Sequence, residues 1–303
     1  MGNDCCAYRA KTSSSNGMTS INRHKSVIEN NLKGKNMRME FVRLEKYSPW
    51  HDIESKTDSE HYVNAIIEIP QGCQDKFEIS TSEEWNSIRP DLKDGKVRKL
   101  MYNGKGDPNN EFDFNGMPHA YGMIPKTFED PLHKETVTII RIGDPSSEAV
   151  ITVGGDKDPL DIFILSDREL PIGQCKCKII GVIHFVDGEE IDYKIIAVDA
   201  SFVDVDSIKE LADLKKFGFE KAEAEIMNWL KYYKTVDNDG NKIKDADNKV
   251  GKIISNRPTH AAEARKVIAE CRESYHTIIN CAIKQVRPEY ADLKWNTPRR
   301  KTE

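Results

Sequence analysis

The sequence predicts a mainly β fold: an antiparallel barrel flanked by helices, with the α-helices on its C-terminal side. Two observations carry this. From about residue 41 to residue 200 the apolar residues come in short runs rich in Ile and Val, divided by polar and Gly- or Pro-containing turns. Beyond residue 205 the pattern takes up a helical period. Several short strands with turns between them close most readily into a barrel.

The strands are predicted at 65–69, 137–140, 149–153, 162–165, 177–185 and 195–198. Asp187-Gly188 reads as a turn that sets Asp187 near Asp192, and Asp192 and Lys194 share a strand face by period two. Ser207-Ile208-Lys209-Glu210 has the form of a capping box, and Thr259, after Pro258, is placed to cap a longer helix. That helix carries apolar residues at 264, 267, 268, 271, 275, 278, 279 and 282, which form one face, so its Tyr and Cys are expected in the core. Residues 237–249 read as a loop, because Gly240 lies at the wrong offset for a calcium loop and no Glu closes it. The Gly/Asn-rich run 103–116 reads as a surface insertion.

At 303 residues and 38% hydrophobic content the chain can bury a sizeable core. It contains no long uncharged apolar stretch of membrane-spanning length. The net charge of -5 is unevenly spread: residues 154–206 hold twelve Asp/Glu against five Lys/Arg. A surface for nucleic acid calls for a basic stripe, so a nucleic-acid partner is not expected. Seven cysteines, an odd number, suit a reducing compartment, and the cytoplasm is the expected location. Cys175 and Cys177 lack a second pair at zinc-ligand spacing and read as reduced strand cysteines.

Residues 1–40 are polar and basic and read as a disordered extension, 41–285 as the folded domain, and 286–303 as a tail. At the N terminus, acylation of Gly2, Cys5 and Cys6 would supply the two signals that peripheral membrane attachment needs. Position 6 departs from the pattern, being Cys where Ser or Thr is called for.

The densest chemistry lies at Asp156-Lys157-Asp158-Pro159-Leu160-Asp161, directly after an apolar run. On an extended chain Asp156 and Asp158 would point to one face and repel, and Asp158-Pro159 would turn the chain so that Asp161 returns toward them. A hard divalent cation is the natural partner. Glu68, Lys76 with Glu78, and Asp187, Asp192 and Lys194 bring further charges at strand spacing from separate segments.

These segments together resemble the family I soluble inorganic pyrophosphatases of the eukaryotic type. The signature Asp-x-Asp-Pro-x-Asp-hydrophobic is met at 156–162, and around it stand Ile67-Glu68-Ile69-Pro70, Lys76-Phe77-Glu78, Gly95-Lys96-Val97-Arg98, His119-Ala120-Tyr121-Gly122, Glu129-Asp130-Pro131, Asp192-Tyr193-Lys194 and Trp229 with Tyr233-Lys234. Ser48-Pro49-Trp50-His51-Asp52-Ile53 resembles the family's eukaryotic lead-in. The resemblance implies a five-stranded, OB-like closed barrel and Mg²⁺-dependent hydrolysis of pyrophosphate to two orthophosphates, with several Mg²⁺ ions per site. It implies Asp156, Asp161, Asp192, Asp187 and Glu78 as metal ligands, Glu68 behind them, and Asp158 as the general base. Arg98, Lys76, Lys194, Tyr121, Tyr233 and Lys234 are then the substrate-binding residues, and a homodimer is the expected assembly. One departure stands out: Met117 occupies a position where the family usually has a Tyr. Two other readings stay open, a non-catalytic OB-like binding module and a metal-dependent hydrolase of another phosphoanhydride such as polyphosphate.

Overall fold

The computed structural model describes residues 47–102, 104, 110–282, 290 and 293. The acylation positions Gly2, Cys5 and Cys6, the extension 1–40 and, apart from Tyr290 and Leu293, the tail 286–303 lie outside the described residues. The described part falls in the unit Ser48–Glu303, save for Tyr47.

In chain order the strands are β1 (Tyr62–Ile69), β2 (Phe77–Ile79), β3 (Ile88–Pro90), β4 (Leu92–Lys93), β5 (Lys96–Val97), β6 (Ala120–Met123), β7 (Glu135–Arg141), β8 (Asp144–Gly155), β9 (Asp161–Leu165), β10 (Gly173–Ile183), β11 (Phe185–Asp187), β12 (Glu190–Ile191), β13 (Lys194–Asp199) and β14 (Lys252–Ile254). The helices are α1 (Ala222–Tyr232) and α2 (Ala261–Ala282). Every predicted strand is present, and the predicted 177–185 run is divided at His184 between β10 and β11.

Five strands close into a barrel in the order β1-β10-β13-β9-β6. The expected antiparallel barrel needs one correction, because β13 and β9 run parallel while the other pairs are antiparallel. A second closed sheet, β11-β12-β8-β7-β14, was not legible from strand runs alone. The barrel strands are buried on both faces. Ile162, Ile164, Ile195 and Ala197 join a cluster with Ala264, Val267, Ile268 and Cys271 of α2, while Phe163, Leu165, Ile196 and Val198 join one with Ile226, Trp229 and Leu230 of α1. Double burial explains why these strands read as continuous apolar runs rather than alternating ones.

The predicted face of α2 is buried at 264, 267, 268, 271, 275 and 278. Its cap differs from expectation. His260, not Thr259, takes that place, accepting the Glu263 N–H at Nδ1 (3.3 Å). The Ser207–Glu210 capping box does not form either: Ser207 ends a 3-10 turn, and Glu210 precedes the 3-10 stretch Leu211–Lys216 without a side-chain cap bond. Local sequence satisfied the motif, but the chain there is too tightly turned to start an α-helix. Residues 237–249 are mainly loop, closed by the 3-10 turn Ala246–Lys249. The described part of 103–116 is not merely a surface insertion, since Phe114 packs edge-on against Tyr102 and Trp229.

The lead-in segment braces the site from behind. Trp50 is fully buried, donates from Nε1 to Thr127 O (2.9 Å) and stacks near Phe128. Phe128 N–H in turn donates to Cys271 O of α2 (3.0 Å), fixing the loop that leads to Glu129.

Candidate active site

Gly155 ends β8 where a side chain has no room. A Cβ there would lie 2.1 Å from the Glu129 carbonyl carbon, so glycine alone lets the two backbones touch. Three bonds then fasten them: Gly155 N–H to Asp130 O (3.0 Å), Lys157 N–H to Glu129 O (3.1 Å) and Glu129 N–H to Asp158 O (3.0 Å). Lys157 turns the chain at φ +74, and Asp158 N–H donates to Asp156 Oδ1 (2.9 Å). Asp156 and Asp158 therefore share a pocket through a turn, which corrects the expectation that strand alternation aligns them.

This fastening brings Glu129 beside Asp156 and Asp192, with carboxylate oxygens all within 4.8 Å of one another. Glu129 is buried; its Oε1 accepts the Tyr193 N–H (2.9 Å), while its Oε2 is buried with no hydrogen-bond partner. Burial, then repulsion from Asp156 and Asp192, raises the Glu129 carboxyl well above the usual carboxylate range. Asp156 is raised likewise, by burial and then by Asp192 and Asp158. Asp192, 7% exposed, is pushed up to about 7 by burial and Asp161, against the pull of Lys194.

The parallel pairing of β13 and β9 sets Lys194 directly opposite Asp161. Its ammonium, buried at 2% exposure, donates to Asp161 Oδ2 (2.5 Å) and to Asp192. Burial alone would lower this lysine, but Asp161 and Asp192 outweigh it and hold it well above its ordinary value. Tyr121 of β6 donates its hydroxyl to Asp161 and packs edge-on against Phe163.

A second charged group comes from β2 to β5 and from the end of α1. Lys76 donates to Glu78 and to Asp91 Oδ2 (3.1 Å), and Arg98 Nη1 reaches the same Asp91 oxygen (3.3 Å). Lys234 donates to Asp187, and Tyr233 stacks on Trp229. Burial, with Arg98 and Lys76 nearby, lowers the Lys234 ammonium to about 7. Glu68 is buried on β1, where its Oε1 accepts the Ile79 N–H (2.7 Å), joining β1 to β2.

All the sequence-predicted site residues, Glu68, Lys76, Glu78, Arg98, Tyr121, Asp156, Asp158, Asp161, Asp187, Asp192, Lys194, Tyr233 and Lys234, line one cavity of about 260 Å³. Met117 lines it too and is buried. Asp158 keeps an open side to solvent and feels the charges of Asp161 and Glu78. The surrounding protein, then those acids, push it up to about 7, and water at its open side screens part of that rise. Sequence reasoning gave no role to Glu129 or Asp91. Glu129 stood in a quoted motif, but its place beside Asp156 follows from the Gly155 contact; Asp91 carries no sequence signal.

The fold is shared with the type I inorganic pyrophosphatases. The crystal structure of the type I inorganic pyrophosphatase from P falciparum superposes at a TM-score of 0.61 with 27% identity, covering 81% of this chain and 68% of that one. The family whose model is described as inorganic pyrophosphatase matches residues 65–276. The chain is 29% identical over 239 residues to the chloroplastic soluble inorganic pyrophosphatase 6 of Arabidopsis thaliana, over 78% of this chain and 68% of that protein. It is 31% identical over 207 residues to the mitochondrial inorganic pyrophosphatase 2 of Mus musculus, over 63% of this chain and 56% of that one.

The chain belongs to the inorganic pyrophosphatase family and is by class an inorganic diphosphatase. Among the described residues no helix is long and apolar enough to cross a membrane.

Proposed function

We propose that the protein hydrolyses inorganic pyrophosphate to two orthophosphates with Mg²⁺ as its cofactor and Asp158 as general base. The observation that carries the proposal is a single cavity lined both by clustered acids and by Lys76, Arg98, Lys194 and Lys234. A pyrophosphate polyanion needs the cations, and the acids need a metal.

The acids fit a hard cation. Every donor is a carboxylate oxygen, Glu129, Asp156 and Asp192 converge within 4.8 Å, and Glu129 Oε2 is left without a partner among them. Those three residues would hold a first Mg²⁺, with Asp161, Asp187 and Glu78 available to further ions. Bound Mg²⁺ would offset the substrate's charge and make a water acidic enough to attack.

The remaining roles belong to side chains. Asp158, open to solvent, takes the proton from the attacking water. Arg98 suits a bidentate contact to phosphate, while Lys76, Lys194, Tyr233 and Lys234 meet the charge that builds on the leaving phosphate. Burial and the nearby Arg98 and Lys76 hold the Lys234 ammonium down to about 7, and an arriving phosphate would favour its charged form. Tyr121 positions Asp161, and Glu68 holds β2, with Glu78, against β1.

The test is phosphate release from pyrophosphate, ATP and tripolyphosphate, with Mg²⁺ and with chelator. Release from pyrophosphate that requires Mg²⁺ supports the proposal. Equal turnover of ATP assigns a broader phosphoanhydride hydrolase, and no release leaves a binding module. A homodimer is the proposed assembly, which a monomeric mass in solution scattering would contradict. The proposed location is cytoplasmic, and N-terminal acylation at Gly2 would fail if mass spectrometry of the native protein found that residue unmodified.

A further inference from the structure

Far from the acidic pocket, Cys175 and Cys177 lie two apart on β10, and their Sγ atoms stand 3.6 Å apart. Both thiols are free and buried. Cys177 pairs across the sheet with Asp199 of β13, and Asp199 Oδ1 lies 3.9 Å from Cys175 Sγ. Lys194 and Asp199 begin and end β13, about 16 Å apart along an extended strand, so this cluster is separate from the acidic pocket.

The cluster is reachable. Cys175 and Asp199 line a second cavity of about 510 Å³, with Arg168, Gln174, Lys176 and Ser201 among its other walls. Cys177 is fully buried and does not line that cavity, but its Sγ lies 3.6 Å from that of Cys175, which does. Cys177 S–H donates to Cys175, which eases Cys175 toward its thiolate, while burial holds Cys177 in the thiol form.

The geometry points to a dithiolate site for a thiophilic d¹⁰ cation of the Zn²⁺ or Cd²⁺ class, anchored by Cys175 Sγ and Cys177 Sγ. Two thiolates at about 2.3 Å from one tetrahedral ion stand about 3.8 Å apart, close to the spacing already present. A disulfide fits less well. Residues i and i+2 of a strand have Cα atoms about 6.7 Å apart, at the outer limit for a disulfide, so β10 would have to bend. An entering ion displaces the thiol protons into water and takes its remaining ligands from the cavity side. Asp199 is the nearest carboxylate there, held in place by Arg168 Nε (2.9 Å) and Ser201. The thiol pair also explains ion choice, since Mg²⁺ prefers the all-oxygen pocket and a soft ion the sulfurs.

The test uses the reduced full chain carrying Cys5→Ser and Cys6→Ser, which removes the other adjacent thiols, in excess Mg²⁺. Cd²⁺ is added and the sulfur-to-cadmium charge-transfer absorption is followed, a signal to which carboxylate sites are silent. One equivalent should bind with the intensity of two Cd–S bonds. Cys175→Ser and Cys177→Ser should each weaken binding by more than about tenfold, with circular dichroism and Mg²⁺-dependent phosphate release confirming a folded protein. If Cys177→Ser does not fold, Cys175→Ser on the cavity side decides alone. No absorption band, a one-sulfur intensity, or a band unchanged in the folded Cys→Ser variants would overturn the assignment.

Discussion

The Tyr193 backbone N–H donates to Glu129 Oε1 at 2.9 Å, and this single bond leaves Glu129 Oε2 as the unpartnered oxygen of a carboxylate placed beside Asp156 and Asp192. A buried acceptor without a donor costs on the order of 1–3 kcal/mol, more when it is charged. Its retention beside two further acids makes sense where a cation supplies the missing partner.

Glu129→Gln should therefore act on metal binding rather than on folding. The Mg²⁺ concentration for half-maximal phosphate release should rise roughly 10- to 100-fold. An unchanged Mg²⁺ activation curve would remove Glu129 from the metal-holding set.

Asp158→Asn should have the complementary effect. Among the described residues Asp158 makes no side-chain ion pair, and it lies open to solvent, so its loss should lower kcat by about 10²–10⁴ while leaving the melting temperature and Mg²⁺ requirement nearly as they were. Wild-type kcat in this variant would place the base elsewhere.

Lys194→Met should be a folding lesion as well as a catalytic one. It removes the buried cation shared by Asp161 and Asp192, leaving two acids unpaired. Breaking a buried pair from one side costs about 3–5 kcal/mol, which denaturant unfolding without metal would read. A loss below about 1 kcal/mol would show that the pair is not a structural element.

The pH dependence of metal-free stability follows from the raised acids. Asp192 has an ordinary value of 3.8 and is raised to about 7, and Glu129 and Asp156 are raised well above their ordinary values. The folded protein thus keeps protons that the unfolded chain releases near pH 4. The stability linked to these acids is fully present below about pH 4 and is lost as pH rises toward about 7. In chelator the melting temperature should fall across that window, and Mg²⁺ should raise it more at about pH 8 than at about pH 5. A Mg²⁺ effect independent of pH would contradict the coupling.

Much of the site was readable because its residues are of types that have few other uses in such numbers. Asp156, Asp158, Asp161, Asp187, Asp192 and Lys194 stand out against apolar strands, and they share one cavity. What the sequence did not disclose is contact made through backbone. Glu129 reaches Asp156 because Gly155 admits a neighbouring chain, and Asp91 bridges Lys76 and Arg98 from a short hairpin region. Helix starts were misplaced at Ser207 and Thr259 for a related reason: a local capping pattern does not reveal that the chain is tightening into 3-10 turns or that His260 supplies the acceptor. The parallel β13–β9 pair was hidden too, although it is this pairing that opposes Lys194 to Asp161.

The most direct measurement is the rate of orthophosphate release from pyrophosphate by the full chain, wild type beside Asp158→Asn, in Mg²⁺ and in chelator. The expected result is turnover by wild type in Mg²⁺ alone, reduced by at least about a hundredfold in the variant. Release in chelator, or equal rates for the two proteins in Mg²⁺, would contradict it.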